Sequence, residues 1–196
     1  MPKILIITGD AAESLEVMYP YQRLLEEGYQ VDIAAPAVKK LQFVVHDFTD
    51  GFDTYTEKPG YTWPADLAFA DVDPAAYVAL VIPGGRAPEY LRLNKQVLEI
   101  VRHFSDTDKP IAAICHAAQL LAAAGVIRGK EVSCYPACSP EVTLAGGTYA
   151  DIAVTDAVAD GKLVTAPAWP AHPAWLAKFQ AVLVKHMAGA SALVSA

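Results

Sequence analysis

Several features that would assign this chain to a special class are missing from its 196 residues. Its three cysteines are few and odd in number, which argues against a disulfide framework and favours a reducing compartment. The 15 basic residues are outnumbered by 22 acidic ones and are scattered, so we expect neither nucleic acid nor a membrane surface as a partner. No apolar run approaches the ~20 residues of a membrane span, and the first run is too short for a signal peptide. We therefore expect a cytoplasmic protein whose residues 1–196 form a single domain.

What the chain has instead is a series of short apolar runs that alternate with amphipathic stretches. This pattern predicts an α/β fold, a doubly wound and mostly parallel sheet with helices on both faces. Reactive residues of such folds gather at the carboxyl ends of the strands. The predicted strands are 4–8, 30–35, 77–82, 110–114, 130–134, 154–158 and 162–166, the last two forming a hairpin around Asp160-Gly161. The predicted helices are 13–27, 94–105, 117–124, one from 139 to Gly146-Gly147, and 174–187, after which the tail 188–196 is expected to fray.

Residues 36–72 follow no clear period but are rich in aromatic side chains. Such aromatic density is not typical of a disordered linker. We interpret the segment as a β-hairpin followed by a packed, irregular excursion, an insertion in the predicted domain.

Cys115 ends an apolar run, 110–114, that continues directly into a helical stretch. A strand-to-helix elbow lifts a side chain out of the packed interior, and the helix N-terminus favours a thiolate. The alternative is that Cys115 is a buried cysteine that behaves as a small hydrophobic residue.

Two candidate partners for this sulfur follow from the sequence. His116 is adjacent, and at a sharp turn it can share a cleft with Cys115 as its base, although it is also compatible with simple packing under a loop. Glu16 lies among apolar neighbours, where burial beside a thiolate would keep its carboxyl protonated and able to donate a hydrogen bond to sulfur. Glu13, one helical turn earlier, is expected to be exposed.

The segment from Pro83 to Glu89 follows another predicted strand. Gly84 and Gly85 allow the backbone to approach a ligand and to point N–H groups at an oxyanion. Arg86 is a candidate for binding a carboxylate and Glu89 for orienting His116, though both are compatible with solvated surface charges. Cys134 and Cys138 have poor spacing for a metal site, so we expect no metal and no cofactor.

Together these segments resemble the ThiJ/PfpI family, within the superfamily that includes class I glutamine amidotransferases. The resemblance is carried by six motifs: Lys3–Thr8, Glu16-Val-Met-Tyr-Pro-Tyr, Leu80–Glu89, Ala113-Ile-Cys-His116, Gly125–Gly129 and Ser133-Cys-Tyr-Pro136.

The resemblance implies a flavodoxin-like fold, assembled as a homodimer or a hexamer with the active site at an interface. It implies that Cys115 is the nucleophile, that Glu16 touches its sulfur and that His116 is its base. Glu89 of a neighbouring subunit would complete a triad, and N–H groups near Gly85 and His116 would form an oxyanion hole. Family activities include peptidase or amidase, cofactor-independent glyoxalase, deglycase, isocyanide hydratase and protection against redox stress.

The chain departs from the usual family pattern in two places. Ala117-Ala118 stands where relatives have Gly-Pro, and the segment from Thr165 to Trp175 replaces a Thr-Ser-Arg motif. Trp169 and His172 are therefore predicted to shape a substrate pocket that typical relatives lack.

These observations support an enzyme, a hydrolase or lyase in which Cys115 attacks a small reactive carbonyl or amide compound in a stress-protective role. One alternative is a redox-responsive protein whose Cys115 is oxidised to sulfinate. The other is a binding protein that has lost its activity.

Overall fold

The structure, a computed structural model, describes residues 1–194. Its strands are β1 (Lys3–Ile7), β2 (Gln30–Ala35), β3 (Lys40–Asp47), β4 (Thr56–Pro64), β5 (Leu67–Ala68), β6 (Ala79–Ile82), β7 (Ile111–Ile114), β8 (Glu131–Val132), β9 (Thr148–Tyr149), β10 (Val158–Asp160) and β11 (Leu163–Ala166). Its α-helices are α1 (Ser14–Glu26), α2 (Ala87–Leu91), α3 (Lys95–Asp106), α4 (Ala117–Ala124), α5 (Ser139–Leu144) and α6 (His172–Val194).

Seven strands form the central sheet, in the order β10-β11-β7-β6-β1-β2-β5. All neighbouring pairs are parallel except β10 with β11. Helices α1 and α6 pack together on one face, and α3 packs with α4 on the other. Strands β1, β6 and β7 are almost fully buried because both faces are covered, which is why they read as continuous apolar runs. The predicted doubly wound α/β fold is confirmed.

The aromatic-rich segment forms the predicted hairpin, in which β3 pairs antiparallel with β4 outside the central sheet. Short strand β5 then returns to the central sheet beside β2. The hairpin is anchored at the start of α1, where the Ser14 hydroxyl donates to the Val44 carbonyl at 2.9 Å and accepts from the Tyr61 N–H at 3.2 Å. This anchor holds the hairpin over the carboxyl ends of β1, β6 and β7.

Near the C-terminal end of the chain, the predicted boundaries need correction. Strand β10 begins at Val158, where the predicted strand ended, and Asp160 pairs with Leu163, so the turn is Gly161-Lys162. The strand predicted over 130–134 is limited to β8, which pairs with β9 in a small separate sheet. Helix α6 begins at His172 and continues to Val194, through most of the tail predicted to fray, whose positions 195 and 196 lie outside the described residues. Over the described part of the chain, no helix has the length and apolar character needed to cross a membrane.

Candidate active site

Cys115 occupies a strained elbow between β7 and α4. Its φ of 60° lies in the left-handed region, which costs a non-glycine residue about 1–2 kcal/mol. Two backbone hydrogen bonds hold this conformation: the Cys115 N–H donates to the Ala166 carbonyl of β11 at 3.0 Å, and the Cys115 carbonyl accepts from the Tyr135 N–H at 3.3 Å. The predicted strand-to-helix elbow is therefore present in the backbone.

The glycine pair after β6 packs directly against this elbow. A β-carbon on Gly84 would lie 2.6 Å from the Cys115 β-carbon and 2.9 Å from the His116 nitrogen, so only glycine fits. Gly85 has a φ of 70° and points its N–H at the sulfur. The N–H of His116 faces the sulfur as well, and both groups lower the pKa of the thiol. Two backbone donors thus converge on the sulfur.

Helix α1 supplies the acid predicted to touch the sulfur. Glu16 is fully buried, and its Oε2 accepts a hydrogen bond from the Gly84 N–H at 2.9 Å. Burial, reinforced by the nearby charge of Glu13, raises the pKa of Glu16 to about 8. Its carboxyl contacts the Cys115 thiol. Glu16 is therefore mainly protonated at neutral pH and can donate to the sulfur.

Glu13 is buried, although the sequence pattern predicted an exposed side chain. Its carboxyl caps α1 by accepting the Glu16 N–H at 2.9 Å. The prediction was wrong because the β3–β4 hairpin covers the beginning of α1, as the bridge between Glu13 and Val44 shows.

Cys115 itself is only 3% exposed, and burial followed by the adjacent Glu16 raises the pKa of its thiol well above the ordinary value. The predicted resting thiolate is therefore wrong. The two backbone N–H groups that face the sulfur do not offset the loss of solvation. Burial therefore favours the neutral thiol over the thiolate, so a nucleophilic role for Cys115 would require a base nearby.

His116 is placed to be that base. Its Nδ1 lies 3.1 Å from the Cys115 sulfur. Burial, and secondarily His46, lowers the pKa of His116 to about 4, so its ring is neutral and keeps one nitrogen free to accept a proton. The ring stacks on Tyr135, with centroids 5.0 Å apart. This stacking fixes the imidazole beside the sulfur.

The β3–β4 hairpin contributes residues that the sequence did not reveal. The Tyr55 hydroxyl lies 3.4 Å from His116 Nε2, and its ring packs on His46 with centroids 4.2 Å apart. His46 Nε2 is in turn 3.4 Å from a carboxylate oxygen of Glu57. Burial raises the pKa of Tyr55 to about 12, so the phenol keeps its proton. A polar chain thus runs from the sulfur through His116 to the hairpin.

Arg86 and Glu89 do not join the sulfur within this chain. The Arg86 guanidinium makes two hydrogen bonds with Glu57, at 2.7 and 2.8 Å. Glu89 is exposed on α2. The hydrogen-bonding partner of His116 Nε2 among residues 1–194 is Tyr55 rather than Glu89.

The two residues predicted to shape a pocket lie in different places. Trp169 is partly exposed and lines the cavity over Cys115. His172 is buried behind it, stacked on Tyr19 with centroids 5.0 Å apart, and is not among the cavity's lining residues. Burial lowers the pKa of His172 to about 4. In this arrangement His172 serves packing, and Trp169 alone of the two lines the cavity.

Two adjoining cavities lie at this end of the sheet. The one over Cys115 measures about 20 Å³, room for about one water molecule. A second cavity of about 200 Å³ shares the walls Phe48, Tyr135, Ala168 and Trp169 with the first. The two cavities are therefore adjacent, with these four residues between them.

Cys134 and Cys138 are free, buried thiols. Burial raises the pKa of Cys134 to about 12, which leaves it protonated. Within the described part of the chain, no three His, Cys, Asp or Glu side chains are grouped as metal ligands would be.

Comparison with known proteins identifies a family whose sequence profile matches most of this chain. A sequence profile described as the DJ-1/PfpI family matches residues 2–181. Protein DJ-1 homolog D of Arabidopsis thaliana is 46% identical over 185 residues, which cover 92% of this chain and 47% of that protein. The chain therefore spans about half the length of this relative.

Two further similarities extend over whole proteins. A protein named as a deglycase from Pyrococcus abyssi is 39% identical over 181 residues, 92% of this chain and 99% of the relative. The crystal structure of a ThiJ/PfpI domain protein from Brachyspira murdochii superposes with a TM-score of 0.79 at 18% identity, covering 94% of this chain and 96% of the other. At that identity the superposition supports the fold alone.

Proposed function

Because the chain belongs to the DJ-1/PfpI family, as its motifs predicted, we propose that it is an enzyme whose Cys115 attacks small reactive carbonyl compounds, a deglycase-like or glyoxalase-like activity that protects against carbonyl stress. The supporting observation is the 3.1 Å approach of a neutral imidazole to a thiol that also contacts a protonated carboxyl. A base, a nucleophile and an acid are thereby within reach of one carbon atom.

The reaction begins with proton transfer from the Cys115 thiol to His116 Nδ1. The sulfur forms a bond to the aldehyde carbon of a dicarbonyl, and the carbonyl π bond breaks onto oxygen. The N–H groups of Gly85 and His116 stabilise that oxyanion until His116 returns the proton, which gives a hemithioacetal.

His116 then removes the proton from the same carbon to form an enediol, and the neighbouring carbon is reprotonated. The product is a thioester of a 2-hydroxy acid, which water hydrolyses to release the acid and restore the thiol. No electrons are gained or lost overall. For an amide substrate the same sulfur would form a thioester as the amine leaves, and water would again hydrolyse it.

Glu16 has a supporting role in each step. A protonated Glu16 donates to the sulfur and stabilises the charge that develops there once His116 holds the proton. It also avoids the repulsion that an ionised carboxyl would exert on a thiolate. We propose that the enzyme works without a metal or organic cofactor, as a cytoplasmic homodimer or hexamer in which the partner's Glu89 approaches His116.

Kinetics of matched cysteine variants test the proposed activity. Cys115→Ala should lower kcat/KM for methylglyoxal by about 10³-fold or more. Cys134→Ala is the control, because that thiol is equally buried but has no place in the reaction. Equal activity of wild type and Cys115→Ala, or equal losses in both variants, would overturn the proposal. A panel of amides and peptides assayed in parallel separates a glyoxalase from an amidase.

A second candidate function has one specific observation in its favour. A carboxyl whose pKa is about 8, in contact with the sulfur, can donate a hydrogen bond to a sulfinate. Two equivalents of hydrogen peroxide would oxidise the Cys115 thiol to sulfinate and leave as water. Intact mass after peroxide treatment tests this function: a gain of two oxygens at Cys115, without turnover of any carbonyl or amide, favours a redox-responsive protein over an enzyme.

A further inference from the structure

We infer that the second cavity, beside the sulfur, is a subsite for an apolar group of the substrate, so that the preferred dicarbonyl carries an aryl or branched alkyl substituent rather than a methyl group. This inference rests on the proposed function, because it names the substrate class of the same site. It also makes a separate claim about ligand binding that does not need turnover.

Continuity with the nucleophile is the first argument. The walls shared by the two cavities, among them Phe48, Tyr135 and Trp169, stand between the sulfur and the larger space. The space over Cys115 has room for about one water molecule, enough for a carbonyl group but not for a substituent. The second cavity adjoins this space at Trp169 and can take a substituent that the first cannot hold.

The second argument comes from size and lining. At about 200 Å³ the cavity is smaller than the ~300–1,000 Å³ of sites for drug-sized ligands, so it suits a single ring or a short branched chain. Tyr149, Ile152 and Val154 line it together with prolines. Phe48 and Val154 are 66% and 52% exposed, an unusual state for apolar side chains grouped around one cavity.

Charge further narrows the substrate class. Asp151 is the charged residue among those lining this cavity. Its carboxylate would repel an anionic substituent and tolerate a neutral or cationic one. The preferred substrate is thus a neutral or cationic aryl or branched dicarbonyl, and a carboxylated analogue should be a poor one.

A comparison of two dicarbonyls across matched variants tests the subsite. Phenylglyoxal should exceed methylglyoxal in kcat/KM by about 30-fold, since burying a phenyl ring removes roughly 80 Å² more apolar surface from water than burying a methyl group. Val154→Asp should lower that ratio by about 10-fold. Val184→Asp is the control: it makes the same change at a similarly exposed valine on α6, 57% exposed, and should leave the ratio as in wild type. The intrinsic reactivities of the two compounds cancel when the ratio of their kcat/KM values is compared between variants.

Asp151→Asn tests the charge argument. It should raise kcat/KM for 4-carboxyphenylglyoxal relative to phenylglyoxal by about 3-fold to 10-fold. An unchanged ratio in both Val154→Asp and Asp151→Asn would overturn the subsite while leaving Cys115-dependent turnover, and with it the proposed function, intact.

A binding measurement that needs no turnover distinguishes a failure of the subsite from a failure of the proposed function. Acetophenone, which has the aryl group but no aldehyde, should bind to Cys115→Ala, shift the NMR signals of residues around Trp169, and bind more weakly when Val154→Asp is added. If no dicarbonyl is turned over, the proposed function fails and this titration alone decides the subsite: absence of binding overturns it. If Val154→Asp changes the sedimentation mass and not the ratio, the face is a subunit contact and the inference is wrong.

Discussion

Replacing Gly84 by alanine should damage both the stability and the activity of the protein, because the backbone of this residue packs against the reacting groups. The new β-carbon would lie 2.6 Å from the Cys115 β-carbon and 2.6 Å from Glu16 Oε2, well inside ordinary van der Waals contact. The contact with the Cys115 β-carbon cannot be relieved by rotating a side chain, since that carbon is fixed by the elbow backbone. The loop after β6 must therefore move away from the elbow.

Two costs follow from that movement. Overpacking in a well-packed region typically costs about 1–3 kcal/mol. The 2.9 Å hydrogen bond from the Gly84 N–H to Glu16 would be stretched or lost, which leaves a buried oxygen without a partner and costs about 1–3 kcal/mol. We expect a loss of about 2–6 kcal/mol, or a fall in Tm of about 4–24 °C for a chain of this length. Activity should fall by about 100-fold, because the Gly85 N–H moves away from the oxyanion position.

Differential scanning calorimetry and methylglyoxal kinetics would measure both effects. Gly189→Ala is the matched control: nothing lies within 4 Å of its new β-carbon, and alanine in a helix should raise stability by about 0.5–1 kcal/mol. A Gly84→Ala protein with wild-type Tm and kcat/KM would refute the close packing of Gly84, Glu16 and Cys115 described above.

Three further changes have defined outcomes. Because the pKa of Glu16 is about 8 in the folded protein against an ordinary 4.5, the folded state holds a proton that the unfolded state releases, and the wild type should lose stability as pH rises from 4.5 to 8. The variant Glu16→Gln should lose less stability over this range, which Tm measured as a function of pH would show. Equal slopes of Tm against pH in the two proteins would contradict the buried acid. His172 should make stability depend on pH in the opposite direction, because its pKa is about 4 against an ordinary 6.5 and stability is therefore lost as pH falls from 6.5 to 4. His172→Phe should reduce this loss when Tm is measured at decreasing pH, and an unchanged loss would mean that the His172 ring is solvated. Tyr55→Phe removes the hydroxyl near His116 Nε2 and should lower kcat by about 5-fold with little change in KM, and a change confined to KM would mean that Tyr55 contacts the substrate instead.

The central sheet was predictable because its signals are local. Each strand buried on both faces is a continuous apolar run, and Gly28 and Gly125 mark where helices end with positive φ values of 84° and 77°. Cys115 stood out for the same reason, since the change from strand to helix happens at one residue. Boundaries failed where the local pattern was weak, as at β10, which is three residues long and pairs only at the edge.

The surroundings of the sulfur were not predictable from local pattern. Tyr55 is 61 residues from His116 in sequence, and it reaches the imidazole only because the β3–β4 hairpin folds over the sheet. The protonation state of Cys115 was predicted wrongly for a related reason: the helix N-terminus is visible in sequence, whereas the burial that outweighs it depends on side chains from four separate segments.

The most direct test of Cys115 as a nucleophile is the intact mass of protein quenched in acid during turnover of a dicarbonyl, followed by peptide mapping. We predict a covalent adduct of one substrate on the peptide that contains Cys115, present in wild type and in Cys134→Ala and absent from Cys115→Ala. An adduct that persists in Cys115→Ala, or turnover without any adduct on that peptide, would contradict the role assigned to this sulfur.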